Sequence, residues 1–256
     1  MPDQAGKPTA MIAVCGKGGV GKTSISAAMV KIFTRDRKKK VLAIDADPAV
    51  GLASALGIVN EKTVDDIRNR LIQRLEQGEA GDRKAVVSRL DYEIFEALTE
   101  RGNLAFLAIG RPEKEGCYCQ VNHILKDIIA SVAGHFDYVV IDGEAGIEQV
   151  NRRVMEKVSH LLLVADPSAK ALHVAQTIQQ VARQAVDYRK AGLIVNRYRS
   201  DKEKEDIPIP KTLQLLGWVP EDDVIRTCDI EGRSILDLPD CLALGAVEKC
   251  ILALMA

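Results

Sequence analysis

Seven short apolar runs punctuate the chain: MIAVCG (11–16), KVLAIDAD (40–47), LAFLAIG (104–110), FDYVVIDG (136–143), HLLLVADP (160–167), KAGLIVNR (190–197) and QLLGWVP (214–220). Most are near-continuous in Val, Ile, Leu and Ala rather than alternating, the pattern of strands covered on both faces. Segments of helical period separate them. The pattern predicts an α/β fold: a mostly parallel twisted sheet of about seven to eight strands, with helices on both faces and right-handed crossovers. Residues 60–103 depart from it. They are charged and helical in period, with Ile67, Leu71 and Leu75 on one face. They are expected to form a helical insertion with no strand of its own, interrupted by a surface excursion at EQGEAGDRK (76–84). Residues 11–256 are then one domain behind a flexible polar tail, 1–10.

Composition narrows the class. The chain has 256 residues, 47% hydrophobic and 28% charged, enough for one large α/β core. With 35 Lys plus Arg against 36 Asp plus Glu, the formal charge of −1 gives no overall attraction to nucleic acid or to anionic membrane, and neither is expected as a partner. The one basic run, RDRKKK (35–40), reads as the exposed C-terminal end of the first helix, where cations suit the dipole; the alternative is a DNA patch. MPDQAGKPTA lacks the apolar core of a signal peptide, no apolar run is long enough to span a bilayer, and six cysteines are too few for a disulfide scaffold. A soluble, cytoplasmic protein is expected.

The chemistry starts at GKGGVGKT (16–23), which fits G-x-x-x-x-G-K-[ST] between a strand and a helix. Gly16, Gly18, Gly19 and Gly21 let the backbone curl so that its N–H groups, with Val20 and Ser24 in the same segment, face phosphate oxygens. The helix adds its positive end. Lys22 would reach the β- and γ-phosphates and the Thr23 hydroxyl would ligate Mg²⁺. AIDADP (43–48) ends the second strand with Asp45 and Asp47, where α/β sheets bind ligands; Asp45 serves either the site or a turn. YVVIDGEAGIE (138–148) supplies Asp142, a second metal-side carboxylate, and Gly143 and Gly146 leave the following loop free to respond to the γ-phosphate. The role of Glu144 stays open.

With its additional Lys17, the loop resembles the deviant Walker A motif, K-G-G-V-G-K-T, of the MinD/ParA/nitrogenase-iron-protein group of ATPases. The resemblance implies that Lys17 crosses a two-fold axis to the partner's phosphates, so hydrolysis requires a homodimer. It makes Lys17, Lys22 and Asp47 the catalytic residues, with Asp47 orienting the attacking water. It also implies that IVNR (194–197) and GWVPED (217–222) hold the base: Asn196 at the adenine edge, Arg197 stacked on the ring, and the backbone around Pro220 and Glu221 closing the pocket. Nothing matches the Asn-Lys-x-Asp guanine signature, so ATP is expected over GTP.

EGCYCQVNHILKD (115–127) raises a separate question. After Cys119, Val121, Ile124, Leu125, Ile128, Ile129 and Val132 have helical spacing, which places Cys117 and Cys119 at a helix N-terminus, where the dipole favours thiolates. Two thiolates are half of a tetrahedral site for Zn²⁺, Ni²⁺ or Cu⁺. A Cys-x-Cys disulfide is geometrically poor. Two copies on a dyad would complete Cys₄. GRPEKEGCYCQVNHILK, IDGEAGIE and ADPSAKAL (165–172) together resemble the CooC-type nickel-insertion ATPases that mature carbon monoxide dehydrogenase and their acetyl-CoA synthase relatives, nearly throughout from Met11. That resemblance implies a metallochaperone in which Cys117 and Cys119 bind Ni²⁺ (Zn²⁺ in vitro) at the dimer interface and apo carbon monoxide dehydrogenase or acetyl-CoA synthase is the client. Gln149 departs from it, standing where many relatives carry His. The rivals are a MinD/ParA-like positioning ATPase and an iron-protein-like reductase. Cys15, Cys241 and Cys250 read as core, Cys228 as ambiguous, and His123 as a helix-surface residue or auxiliary ligand.

Overall fold

The computed structural model describes residues 8–77, 83–110, 119–143, 154 and 157–256. Eight strands form one sheet in the order β3-β4-β2-β5-β1-β6-β7-β8. They are β1 (Ala10–Gly16), β2 (Val41–Asp45), β3 (Thr99–Arg101), β4 (Leu104–Ala108), β5 (Tyr138–Asp142), β6 (His160–Ala165), β7 (Lys190–Tyr198) and β8 (Leu215–Pro220). All pairs are parallel except β3 with β4. The expected α/β sheet is the observed one, and the near-continuous apolar runs are the reason: Ile12 to Cys15, Val41 to Ile44 and Leu161 to Ala165 are buried on both faces.

One expectation fails. The 60–103 region does contain a strand, β3, hydrogen-bonded antiparallel to β4 through Thr99↔Phe106 and Arg101↔Leu104. Its three residues are exposed or half-exposed, so no apolar pattern announces it. Gly102, at φ 65, makes the tight reversal into β4. The other elements among its described residues are helices: α2 (Gly51–Leu56) precedes the region, and α3 (Val64–Glu76) and α4 (Arg83–Glu96) lie within it. α3 buries Val64, Ile67 and Ile72, while Leu71 is half-buried. Most of the expected excursion, 78–82, lies outside the described residues.

α1 (Lys22–Thr34) packs on β5, α2 and α9 (Leu242–Met255). It ends where the basic run begins, and two of those cations form ion pairs: Arg35 with Asp240 and with Glu248 at 2.9 Å, and Lys39 with Asp137 at 2.7 Å. α5 (Cys119–Ala133) buries Val121, Leu125, Ile128, Ile129 and Val132. α6 (Ala169–Ala185) covers β1 and β6, α7 (Asp201–Asp206) contacts β7, and α8 (Asp223–Ile230) follows β8 in the chain. β1 lies between β5 and β6, so the chain order reverses at its C-terminal end, which is where open α/β sheets form their ligand crevice. β1 begins at Ala10, one residue before the expected boundary; residues 1–7 lie outside the described part. Among the described residues no helix is long and apolar enough to cross a membrane.

Candidate functional site

The 16–23 loop leaves β1 beneath β6 and turns into α1. Gly16 allows the close approach: a Cβ there would lie 2.1 Å from the Val164 carbonyl oxygen. Gly19 (φ 84) and Gly21 (φ 91) take the left-handed conformations that other residues resist. Gly18 needs neither, having open space and no positive φ. Val20 anchors the loop in the core. α1 begins with no side-chain cap and no acidic residue in its first turn, so its free N–H groups form an anion seat. Lys22 folds back over the loop, its ammonium 3.4 Å from the Lys17 carbonyl. The Lys17 ammonium makes no hydrogen bond or ion pair with the described residues.

Asp142 closes β5 beside this helix and is buried. Its Oδ1 accepts a hydrogen bond from Ser26 Oγ at 2.9 Å, and its Oδ2 is buried with no partner. Burial pushes its pKa up to about 6; the Thr23 and Ser26 hydroxyls and the Lys22 charge pull against that. Asp45 is fully buried and does structural work. Its Oδ2 accepts from Leu52 N at 2.8 Å and Ala53 N at 3.4 Å, and its Oδ1 accepts from Asp47 N at 3.1 Å. It thereby caps α2 and fixes the turn carrying Asp47. Burial, then the Asp142 charge, raises its pKa to about 7. Asp47 is half-buried and accepts from Ala49 N at 2.9 Å. Gly51 passes close to Thr23, within 3.8 Å measured from a Cβ built on it.

Beyond the loop a cavity of about 270 Å³ opens, lined by Ser24, Ala28, Asn196, Arg197, Pro220 and Glu221 among others. The four residues expected at the base therefore converge, but two of them are differently engaged. Asn196 is buried and donates Nδ2–H to the Val20 carbonyl at 2.9 Å. Arg197 is an extra residue in the β7–β8 ladder: Asn196 pairs with Val219 and Tyr198 with Pro220. Its φ of 63 turns the guanidinium back to donate to the Gly19 carbonyl at 3.0 Å. Both side chains hold the phosphate loop, a role that the sequence did not suggest.

Two residues escaped the sequence reading. Ser26 follows Thr23 by three positions, the helical spacing that could have drawn notice. Asp222 lines the cavity and caps two helices, accepting from Val224 N at 2.9 Å and Ala243 N at 3.0 Å; only its neighbour's sequence position hinted at it.

A divalent cation fits here: Asp142 Oδ2 is a buried carboxylate oxygen with no hydrogen-bond partner among the described residues, and it lies next to Thr23. The second metal expectation falls largely outside the described residues. Cys119 opens α5 as predicted, while Cys117, Glu144, Gly146 and Gln149 lie outside the described residues. Among the described residues no group of three or more His, Cys, Asp or Glu side chains could hold a metal ion. Cys15 is buried under the phosphate loop, with its pKa pushed up by burial to about 12, and Cys250 is core. Cys241 is half-buried at the start of α9, less enclosed than expected. Cys228 is buried, donating to the Arg233 carbonyl at 2.9 Å. His123 is exposed, 3.9 Å from Asp127 one turn along α5.

Residues 11–235 match the CobQ/CobB/MinD/ParA nucleotide binding domain. The chain belongs to this family. It is 35% identical to an uncharacterized ATP-binding protein of Methanocaldococcus jannaschii, over 90% of this chain and 92% of that one. It is 29% identical to the carbon monoxide dehydrogenase accessory protein CooC of Rhodospirillum rubrum, over 90% of this chain and 91% of that one. Among solved structures, the MinC:MinD cell division protein complex of Aquifex aeolicus superposes with a TM-score of 0.67 at 23% identity, covering 96% of each chain, a likeness of fold.

Proposed function

We propose that the chain is a Mg-ATP-dependent ATPase that works as a homodimer and carries one metal ion, nickel, between Cys117 and Cys119 of the two copies. The cargo would pass to apo carbon monoxide dehydrogenase or acetyl-CoA synthase. The observation that carries the ATPase reading is the half-satisfied, buried Asp142 carboxylate beside Thr23 at the mouth of a glycine loop. The loop N–H groups and Lys22 would cradle the phosphates. Thr23 and Asp142 would hold Mg²⁺, which neutralises developing phosphate charge. Asp47 would orient a water to attack the γ-phosphorus as the bond to the β–γ bridging oxygen breaks, giving ADP and phosphate. The partner's Lys17 would add positive charge to that transfer; its unengaged ammonium supports the reading.

The cargo reading draws on the Cys-x-Cys at the start of α5 and on the CooC relative. ATP would favour the closed pair and four converging thiolates; loss of the γ-phosphate would change the site. Against a positioning ATPase stands α9, whose Leu244, Val247, Ile251 and Leu254 are buried in the core and present no apolar face to a membrane. Against a reductase, no cysteine occurs between Cys119 and Cys228 to supply a second loop of cluster ligands.

The test is metal content per chain with light-scattering mass, for wild type and Cys117→Ala/Cys119→Ala, with ATP or ADP. One ion per pair of chains, lost in the double variant, is expected. Absence of cysteine-dependent metal in every nucleotide state removes the cargo reading and leaves a nucleotide-binding protein of other purpose.

A further inference from the structure

Ser26 is fully buried between Ile25 and Ala27 of α1, both core residues. A serine inside a helix commonly bonds back to its own preceding turn, and alanine is the better helix former there. Ser26 instead donates across to Asp142 Oδ1 at 2.9 Å. That bond makes the two oxygens of a buried carboxylate unequal. Oδ1 is satisfied by the protein; Oδ2 is buried and unsatisfied, a state that isolated buried polar atoms avoid unless a ligand completes them. Thr23, one turn earlier on the same helix face, lies next to the same carboxylate.

We infer that Ser26 is a positioning residue for the metal-side carboxylate: its hydroxyl fixes one oxygen of Asp142 and so presents the other to the divalent cation that accompanies the nucleotide. The inference rests on the ATP reading above and extends it to a residue outside the glycine loop. Ser26 touches neither phosphate nor cation; it acts through the orientation of Asp142. Without it the carboxylate is free to turn, and each turn away lowers the fraction of the protein ready to accept the ion.

The test separates metal binding from nucleotide binding. A fluorescent ADP analogue is titrated in EDTA and across a Mg²⁺ series, with Mn²⁺ binding read independently by electron paramagnetic resonance, in wild type, Ser26→Ala, Ser26→Thr and Asp142→Asn. In EDTA, Ser26→Ala is expected to bind the analogue as wild type does. Its half-saturating Mg²⁺ is expected to rise about tenfold, the effect of removing a hydrogen bond to a charged group. Ser26→Thr, which keeps the hydroxyl, is expected to restore the wild-type requirement. An unchanged Mg²⁺ requirement in Ser26→Ala overturns the inference. So does an equal loss with and without metal, which marks Ser26 as packing alone, or a Ser26→Thr protein no better than Ser26→Ala. If Asp142→Asn leaves the Mg²⁺ requirement untouched, the assignment of Asp142 to the metal is what fails, and the inference falls with it. Should Ser26→Ala not fold, Ser26→Cys carries the same comparison.

Discussion

Asp45 and Asp142 face each other on one rung of the sheet, paired across β2 and β5, and both are buried. Like charges so placed repel, and each is managed differently. Asp45 is consumed by three backbone N–H groups, whereas Asp142 keeps a free oxygen. One carboxylate thus builds the turn and the other is left for chemistry.

The pair makes stability depend on pH. Burial first, and then mutual repulsion for Asp45, raises both groups from 3.8, to about 7 for Asp45 and about 6 for Asp142. The unfolded chain releases these protons near pH 4, while the folded one holds them longer. The folded state therefore binds more protons in that window, and its stability falls as pH rises through about 7. Ligand-free protein is expected to melt at a higher temperature near pH 6 than near pH 8, by roughly 1–3 kcal/mol of stability. Mg-nucleotide should flatten the difference. Thermal unfolding at the two pH values, with and without ligand, checks this; a melting temperature that climbs with pH would contradict it.

Gly21→Ala is expected to destroy nucleotide binding. The added methyl would sit 2.4 Å from Asn196 Nδ2 on a backbone at φ 91, so both the turn and the bond to Val20 must give. The stability loss should be roughly 1–3 kcal/mol. Isothermal titration with ADP and a denaturant melt measure the two effects; near-wild-type affinity would show that the loop tolerates reshaping.

Lys17→Ala and Asp47→Ala should each bind ATP and turn it over about a thousandfold more slowly, the scale of removing a cation that acts across an interface. Mixed together, the two inactive proteins should recover activity. A heterodimer has one site with an intact Asp47 that receives Lys17 from the other chain. Phosphate release from the mixture is the readout, and a mixture as inactive as its components would place Lys17 in cis.

Asp222→Ala should lower stability by roughly 1–3 kcal/mol, since one carboxylate caps both α8 and α9. Because the same residue lines the cavity beside the glycine loop, affinity for ATP should drop with it. Asp223→Ala, one residue further into α8, is the control. Equal effects of the two substitutions would argue against the double cap.

Much of this was legible in the chain. The seven apolar runs became seven strands because strands covered on both faces have no polar side to hide their pattern. β3 was not legible, being three residues long and exposed. The glycine loop announced itself, yet the burden is unequal: Gly16 and Gly21 are required by close contacts, and Gly18 is not. Asp45 could not be assigned from sequence, because the N–H groups it caps belong to Leu52 and Ala53, seven and eight residues on, and reach it only when α2 folds back. The loop-holding role of Asn196 and Arg197 was not legible either. Their partners, Val20 and Gly19, are more than 170 residues away along the chain, and no local pattern encodes such a meeting.

That meeting shapes how a nucleotide is received. Val20 and Gly19 have their carbonyls drawn outward by Asn196 and Arg197, so the loop is set before any phosphate arrives. Little entropy is left to lose on docking. The phosphate grip is then a rigid mould, and whatever motion the γ-phosphate drives must be expressed outside it. Holding the phosphates is thereby separated from any response to them.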